Sequence, residues 1–222
     1  MNHINKEKRW VYHLLLHSKD IKGCGLFNGR MGIILALMTC ARHYDLKPIE
    51  EAMMNVLSQT ISSIPDSTPL NFSDGLLGIG WGLEYLNQSH LLHLNTIDSC
   101  EAINQKLMQH DVSFINDSSL SYGLSGILTY VLAHIQGNPG QQPFSSAYLN
   151  NLHSVTINWT KDNPKEFQVL RQKFCDYMNG KAFKIAMELT PFISENTNNK
   201  YDVLDLSLQS GIAGKLLSKI IK

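Results

Sequence analysis

Apolar positions along this chain fall into two kinds of stretch. One kind is amphipathic at helical spacing: Trp10, Val11, Leu14 and Leu15; Ile49 to Ile64, with Met53, Val56, Leu57 and Ile61 on one face; Ile97 to Met108; and Ala147 to Trp159. The other kind is apolar almost throughout: IILAL after Gly32, IGWGLEYL after Gly78, ILTYVLAHI after Gly126 and KLLSKII after Gly214. The first pattern predicts helices with one face in solvent, and the second predicts helices buried nearly all round. Strands are not predicted, because β-branched residues do not alternate with polar ones and no Asn-Gly sits between strand-like runs.

Each apolar run opens with the same phrase, a glycine, two residues and a second glycine. The pairs are Gly29/Gly32, Gly75/Gly78, Gly123/Gly126 and Gly211/Gly214, and their first members are 46, 48 and 88 residues apart, the last close to two periods. A period in this range is the signature of a helical repeat array. The unit it predicts is an outer amphipathic helix, a loop, and an inner apolar helix that starts at the glycines. Asn28, Asp74 and Ser210, just before three of the first glycines, are expected as N-caps. The glycines themselves are expected to let inner helices approach one another closely. The long last gap predicts a hidden repeat at Phe174 to Phe183, with Gly180 as its remaining glycine and the run KIAMEL as its inner helix. QGNPGQQP (136–143) and SENTNNK (194–200) read as loops. The expected fold is all-α: a single domain over 1–222, an α/α-toroid-like array of about five helix pairs.

Composition narrows the function classes. With 19 Lys+Arg against 19 Asp+Glu and a pI near 7.1, the chain carries no basic footprint for nucleic acid. Its opening is polar, and no apolar run reaches the ~18–20 residues of a membrane span, so a cytoplasmic protein is expected. Cys24, Cys40, Cys100 and Cys175 are widely spaced without a CxxC pair and read as free thiols. Trp81 and Tyr85 read as core aromatics.

The stretches GLFNGRMGI, GLLGIGWGLEYL, YGLSGILTYV and SGIAGKLL resemble the lanthionine synthetase C (lanthionine cyclase) family over most of the chain. That resemblance implies an α/α toroid whose members add cysteine thiols to dehydrated Ser or Thr in a precursor peptide, on a zinc held by two cysteines and a histidine. Such a zinc favours thiolate and imidazole ligands and keeps one position open for the substrate sulfur. Set against that pattern, Cys175 has the family's spacing to Gly180 and is the one candidate ligand, while Gln209-Ser210 stands where the adjacent Cys-His pair would be. Tyr122 stands at a proton-transfer histidine and Asn71 at an acidic residue, which makes them the catalytic candidates. Asp74, Ser121, Gln209 and Ser210 are the expected pocket positions.

Three readings follow. In the first, the chain is a degenerate cyclase-like protein without a cofactor that binds precursor peptide or a modifying enzyme. In the second, it is a zinc-dependent thioether cyclase with an incomplete or shared metal site. In the third, it is a non-enzymatic interaction scaffold. An array short of a full ring would expose apolar inner-helix flanks, so a partner or a homo-oligomer is also expected.

Overall fold

The computed structural model describes residues 2–161 (backbone alone for 2–6), 164–194 and 204–221. Beyond Ser194, the predicted loop 194–200 lies outside them. The described residues are helical or irregular, without a strand, so the all-α expectation holds at that level. No helix among them is long and apolar enough to cross a membrane. The chain divides into two compact units, residues 1–68 with 188–222 and residues 69–187.

Unit 1 contains α1 (Asn2–His17), α2 (Arg30–His43), α3 (Lys47–Ser62) and α10 (Ile212–Ile220), numbered in chain order with the helices of unit 2. Helix α2 is its centre, packed on α1, α3 and α10. Its apolar run is buried from Met31 through Met38, with Cys40 and Ala41 beyond. The buried thiols of Cys24 and Cys40 behave there as small core side chains. Helix α3 follows the amphipathic pattern and buries Ile49, Met53, Val56, Leu57 and Thr60.

Unit 2 contains α4 (Leu76–Gln88), α5 (Thr96–Ser99), α6 (Glu101–Met108), α7 (Leu124–Gly137), α8 (Ser146–Ile157) and α9 (Lys165–Met178). The apolar helices α4 and α7 pack against each other, and α7 also packs on α9. Trp81 is 1% exposed; it stacks on Tyr85 at 5.5 Å and meets Phe72 edge-on at 6.1 Å. Gly80 gives the Tyr130 ring of α7 its room against α4, since a Cβ there would lie 2.5 Å from that ring.

Two expectations about the repeat are corrected. The N-caps are the first glycines themselves, Gly29, Gly75, Gly123 and Gly211, in extended backbone and without a side-chain cap bond. Asn28, Asp74 and Ser210 each stand one residue too early, and the helix amides are satisfied by backbone carbonyls instead. The helix expected for the hidden repeat is not formed. Helix α9 already occupies 165–178, and the KIAMEL run at 184–189 is irregular. Gly180 adopts φ +71° just past the end of α9, with open space about it. It closes a helix where it was expected to start one, because a left-handed residue suits a helix C-terminus. The helix in this stretch that packs on α7 is α9, with Pro164 at its N-cap.

Candidate functional site

The four glycine pairs are held in one recurring loop. The residue after the first glycine donates its N–H to the carbonyl seven positions back: Arg30 to Gly23, Leu76 to Pro69 and Leu124 to Asp117 at 2.9 Å, and Ile212 to Asp205 at 2.8 Å. The chain therefore doubles back onto the first helical turn, and the glycines give it room. A Cβ at Gly75, Gly123 or Gly211 would collide with the carbonyl six residues earlier, and so would one at Gly32, Gly126 or Gly214. The expected close approach of neighbouring inner helices is thus mainly a close approach of each helix to its own loop. Asx turns brace two of these loops. Asp117 Oδ1 accepts from the Ser119 N–H at 2.7 Å, and Asp205 Oδ1 from the Ser207 N–H at 3.0 Å.

Loops also dock on loops. In unit 2 the Phe72 and Ser73 N–H groups both donate to the Ser121 carbonyl, at 3.0 and 3.2 Å. In unit 1 the Leu208 N–H donates to the Phe27 carbonyl at 2.9 Å. These bonds join equivalent positions, since Phe72 and Leu208 lie three before their first glycines while Ser121 and Phe27 lie two before theirs. The second glycine of the receiving repeat completes the joint: a Cβ on Gly126 would stand 2.7 Å from Phe72 Cβ, and one on Gly32 would stand 2.8 Å from Leu208 Cβ. The last repeat therefore seats on the first as the second seats on the third.

A cleft of about 200 Å³ opens beside the starts of α4 and α7. Leu70, Phe72, Leu77, Ile115 and Ile127 supply its apolar surface, and Asn71, His110 and Tyr122 supply its polar groups. Both catalytic candidates thus line one cavity. Asn71 Oδ1 is already engaged by the Asp74 N–H at 2.9 Å, which leaves the amide Nδ2 as its available donor. Tyr122 is 67% exposed and brings an aromatic face with a hydroxyl. Asp74 accepts from Ser73 Oγ at 2.9 Å at the same helix start. Ser121 contributes its carbonyl to the loop–loop joint. Sequence reading passes over His110 and Ile115, because neither belongs to a recurring motif and only the fold of the segment before α7 brings them in.

Gln209 and Ser210 lie in unit 1. The Gln209 carbonyl accepts from the Ser194 N–H at 2.7 Å, and Ser210 Oγ donates to Asp205 at 2.8 Å. Burial alone would raise the Asp205 carboxyl. Hydrogen bonds from Ser207 and Ser210 and the charge of Lys215 outweigh it and hold the group below the ordinary carboxylate value. Cys175 is a half-buried thiol on α9 whose carbonyl is capped by Asn179 Nδ2 at 2.8 Å.

The lanthionine synthetase C-like protein family matches residues 8–173, well over half of the chain. This chain belongs to that family. Neither curated proteins nor solved structures provide a match.

Membership implies a zinc, and the residues present do not fit one. Among the described residues no three His, Cys, Asp or Glu side chains gather where they could hold a metal ion. The amide and hydroxyl of Gln209-Ser210 are not the thiolate and imidazole donors that zinc selects, and Ser210 is committed to a carboxylate. What the unit 2 cleft does offer is an apolar surface, an amide, a hydroxyl and an imidazole.

Proposed function

We propose that this protein is a degenerate lanthionine-cyclase-like protein acting in the maturation of a ribosomally synthesised peptide. In this reading it binds the precursor peptide, and the cleft beside α4 and α7 takes part. The carrying observation is that the family match spans this whole cleft, whose lining includes no thiol. Phe72, Leu77 and Ile127 offer apolar contact to a peptide side chain, while Asn71 Nδ2 and the Tyr122 hydroxyl offer hydrogen bonds to its backbone. Aromatic anchors of this kind dominate many peptide and protein interfaces. The wider reading keeps a single domain in an α/α-toroid-like array, within the cytoplasm. The seating of the last repeat on the first within unit 1 supports such an array.

The test is a fluorescence anisotropy titration with labelled synthetic peptides that contain Ser, Thr and Cys, as a lanthionine precursor must. Saturable binding is expected, with Kd rising about tenfold on Tyr122→Ala, in line with the ~1.4 kcal/mol of a moderate hot spot. Absence of binding, or binding that Tyr122→Ala and Asn71→Ala leave untouched, overturns the assignment of the cleft.

A further inference from the structure

The core of unit 2 holds a chain of buried polar groups that the cleft does not use. Glu84 on α4 and His134 on α7 have wholly buried side chains, with Oε1 and Nδ1 2.7 Å apart. The same carboxylate accepts from Asn138 Nδ2 at 3.0 Å and from Gln88 Nε2 at 2.8 Å, and it lies against Gly137, where no Cβ fits. On the far side of the imidazole, Nε2 stands 2.9 Å from Asn104 Nδ2 on α6. Asn104 Oδ1 is taken by the Tyr130 hydroxyl, which donates at 2.6 Å. Tyr130 and His134 stack at 5.5 Å with 12° between their rings, and Phe144 meets both edge-on.

These contacts run in one direction. Tyr130 donates to Asn104 Oδ1, so the amide turns its NH2 toward His134. Nε2 must then accept, the ring proton sits on Nδ1, and it is given to Glu84. A second proton on the imidazole would set two donors face to face at 2.9 Å. Burying such a clash is costly, and a half-turn of the amide relieves it. Asn104 Oδ1 would then accept from Nε2, and its NH2 would face the Tyr130 oxygen. The Tyr130 proton would then swing away from Asn104, toward the neighbouring Cys100 thiol.

We infer that His134, Asn104 and Tyr130 form a two-state hydrogen-bond switch joining α4, α6 and α7, in which protonation of the imidazole flips the Asn104 amide. The proton comes from solvent and stays on Nε2; no covalent bond other than N–H changes.

The surroundings allow both states. Titratable groups facing the switch are Glu84 from α4, Cys100 from the turn between α5 and α6, Tyr130 from α7 and Tyr148 from α8. Burial, and then the neighbouring Glu84 charge, push the Cys100 thiol up to about 12, so it stays protonated. Tyr130 is raised well above its ordinary value, chiefly by burial, and keeps its proton as well. The Tyr148 hydroxyl is buried without a hydrogen-bond partner among the described residues, so the cluster holds spare bonding capacity. His134 is the one imidazole in the cluster, and Glu84 beside it is the counter-ion it would meet.

The switch is tested on the full chain by long-range ¹H–¹⁵N spectra of its nine histidines and of the asparagine side chains during acidification. At neutral pH, His134 is expected as the Nδ1–H tautomer. As its nitrogens move to the doubly protonated position, the Asn104 side-chain amide should shift with the same midpoint. Asn104→Asp offers Nε2 only acceptors and should move that midpoint up by about one pH unit or more. An Nε2–H tautomer at neutral pH overturns the inference, as does an Asn104 amide that ignores the transition, or protonation only on unfolding. A midpoint unchanged in Asn104→Asp does so too. Should that variant not fold, the wild-type titration decides alone.

Discussion

Single glycines here do different jobs, and substitution should separate them. Gly126 is closed in by the Leu120 carbonyl and by Phe72 Cβ, so Gly126→Ala should cost about 1–3 kcal/mol through overpacking. Gly137→Ala would press on the Glu84 carboxylate and disturb its buried bonds; a loss of about 3 kcal/mol is expected. Gly180 has open space but a left-handed φ of +71°, so Gly180→Ala should cost only about 1 kcal/mol. Urea midpoints of the three variants check the order; equal losses would contradict it. Asp205 adds a pH dependence. Its folded value is depressed, so its contribution is complete above the unfolded carboxylate value near ~4 and disappears as pH falls through the folded one. Stability curves of the wild type and Asp205→Asn should therefore run apart near neutrality and converge in strong acid.

Legibility at this scale follows from what spacing can reveal. Paired glycines recur in sequence because the doubled-back loop leaves no room for a Cβ at those positions. Their partner does not stand out, since it is a backbone carbonyl six residues earlier that any residue type supplies: of Leu26, Leu120 and Leu208 below second glycines, and of Pro69, Asp117 and Asp205 below three of the first. Hence the positions are readable while their reason, and the N-cap, are not. Glu84 and His134 stay hidden for a related reason. They lie fifty residues apart on two helices that otherwise read as plain core, and periodicity reports a buried face without naming what meets there.

Among elements, α9 departs most from its siblings. It packs against α7, yet it buries only Phe167 and Phe174 along fourteen residues, whereas α4 buries eleven of thirteen. Its charged sequence KEFQVLRQKFCDYM gives no apolar run to find, and Pro164 at its start gives no glycine. Proline at the N-cap needs no doubled-back loop of the glycine kind. Pro164→Gly is expected to change stability by less than 1 kcal/mol, against the larger loss at Gly126. Hydrogen exchange should show α9 amides opening well before those of α4 and α7. Thiol labelling reports on the same contrast: half-buried Cys175 on α9 should react first, with Cys24, Cys40 and Cys100 reacting only on unfolding. Early modification of Cys100 would contradict the packing described for unit 2.

For the whole molecule, chain order and spatial neighbourhood differ. The first 68 residues form a unit with the last 35, and α10 packs on α1 and α2. Removing residues 204–222 would strip Leu208 from the phrase at Gly32 and take α10 off α1 and α2. Such a truncation should make unit 1 sensitive to protease while α4 and α7 stay protected. The family tie was readable from four phrases at one period. The central claim is that this family member binds peptide without a metal. The most direct measurement is zinc content of the purified chain together with the anisotropy titration repeated in chelator. Well under one zinc per chain and an unchanged Kd are predicted. Stoichiometric zinc that Cys175→Ala removes, together with binding that chelator abolishes, would contradict the account.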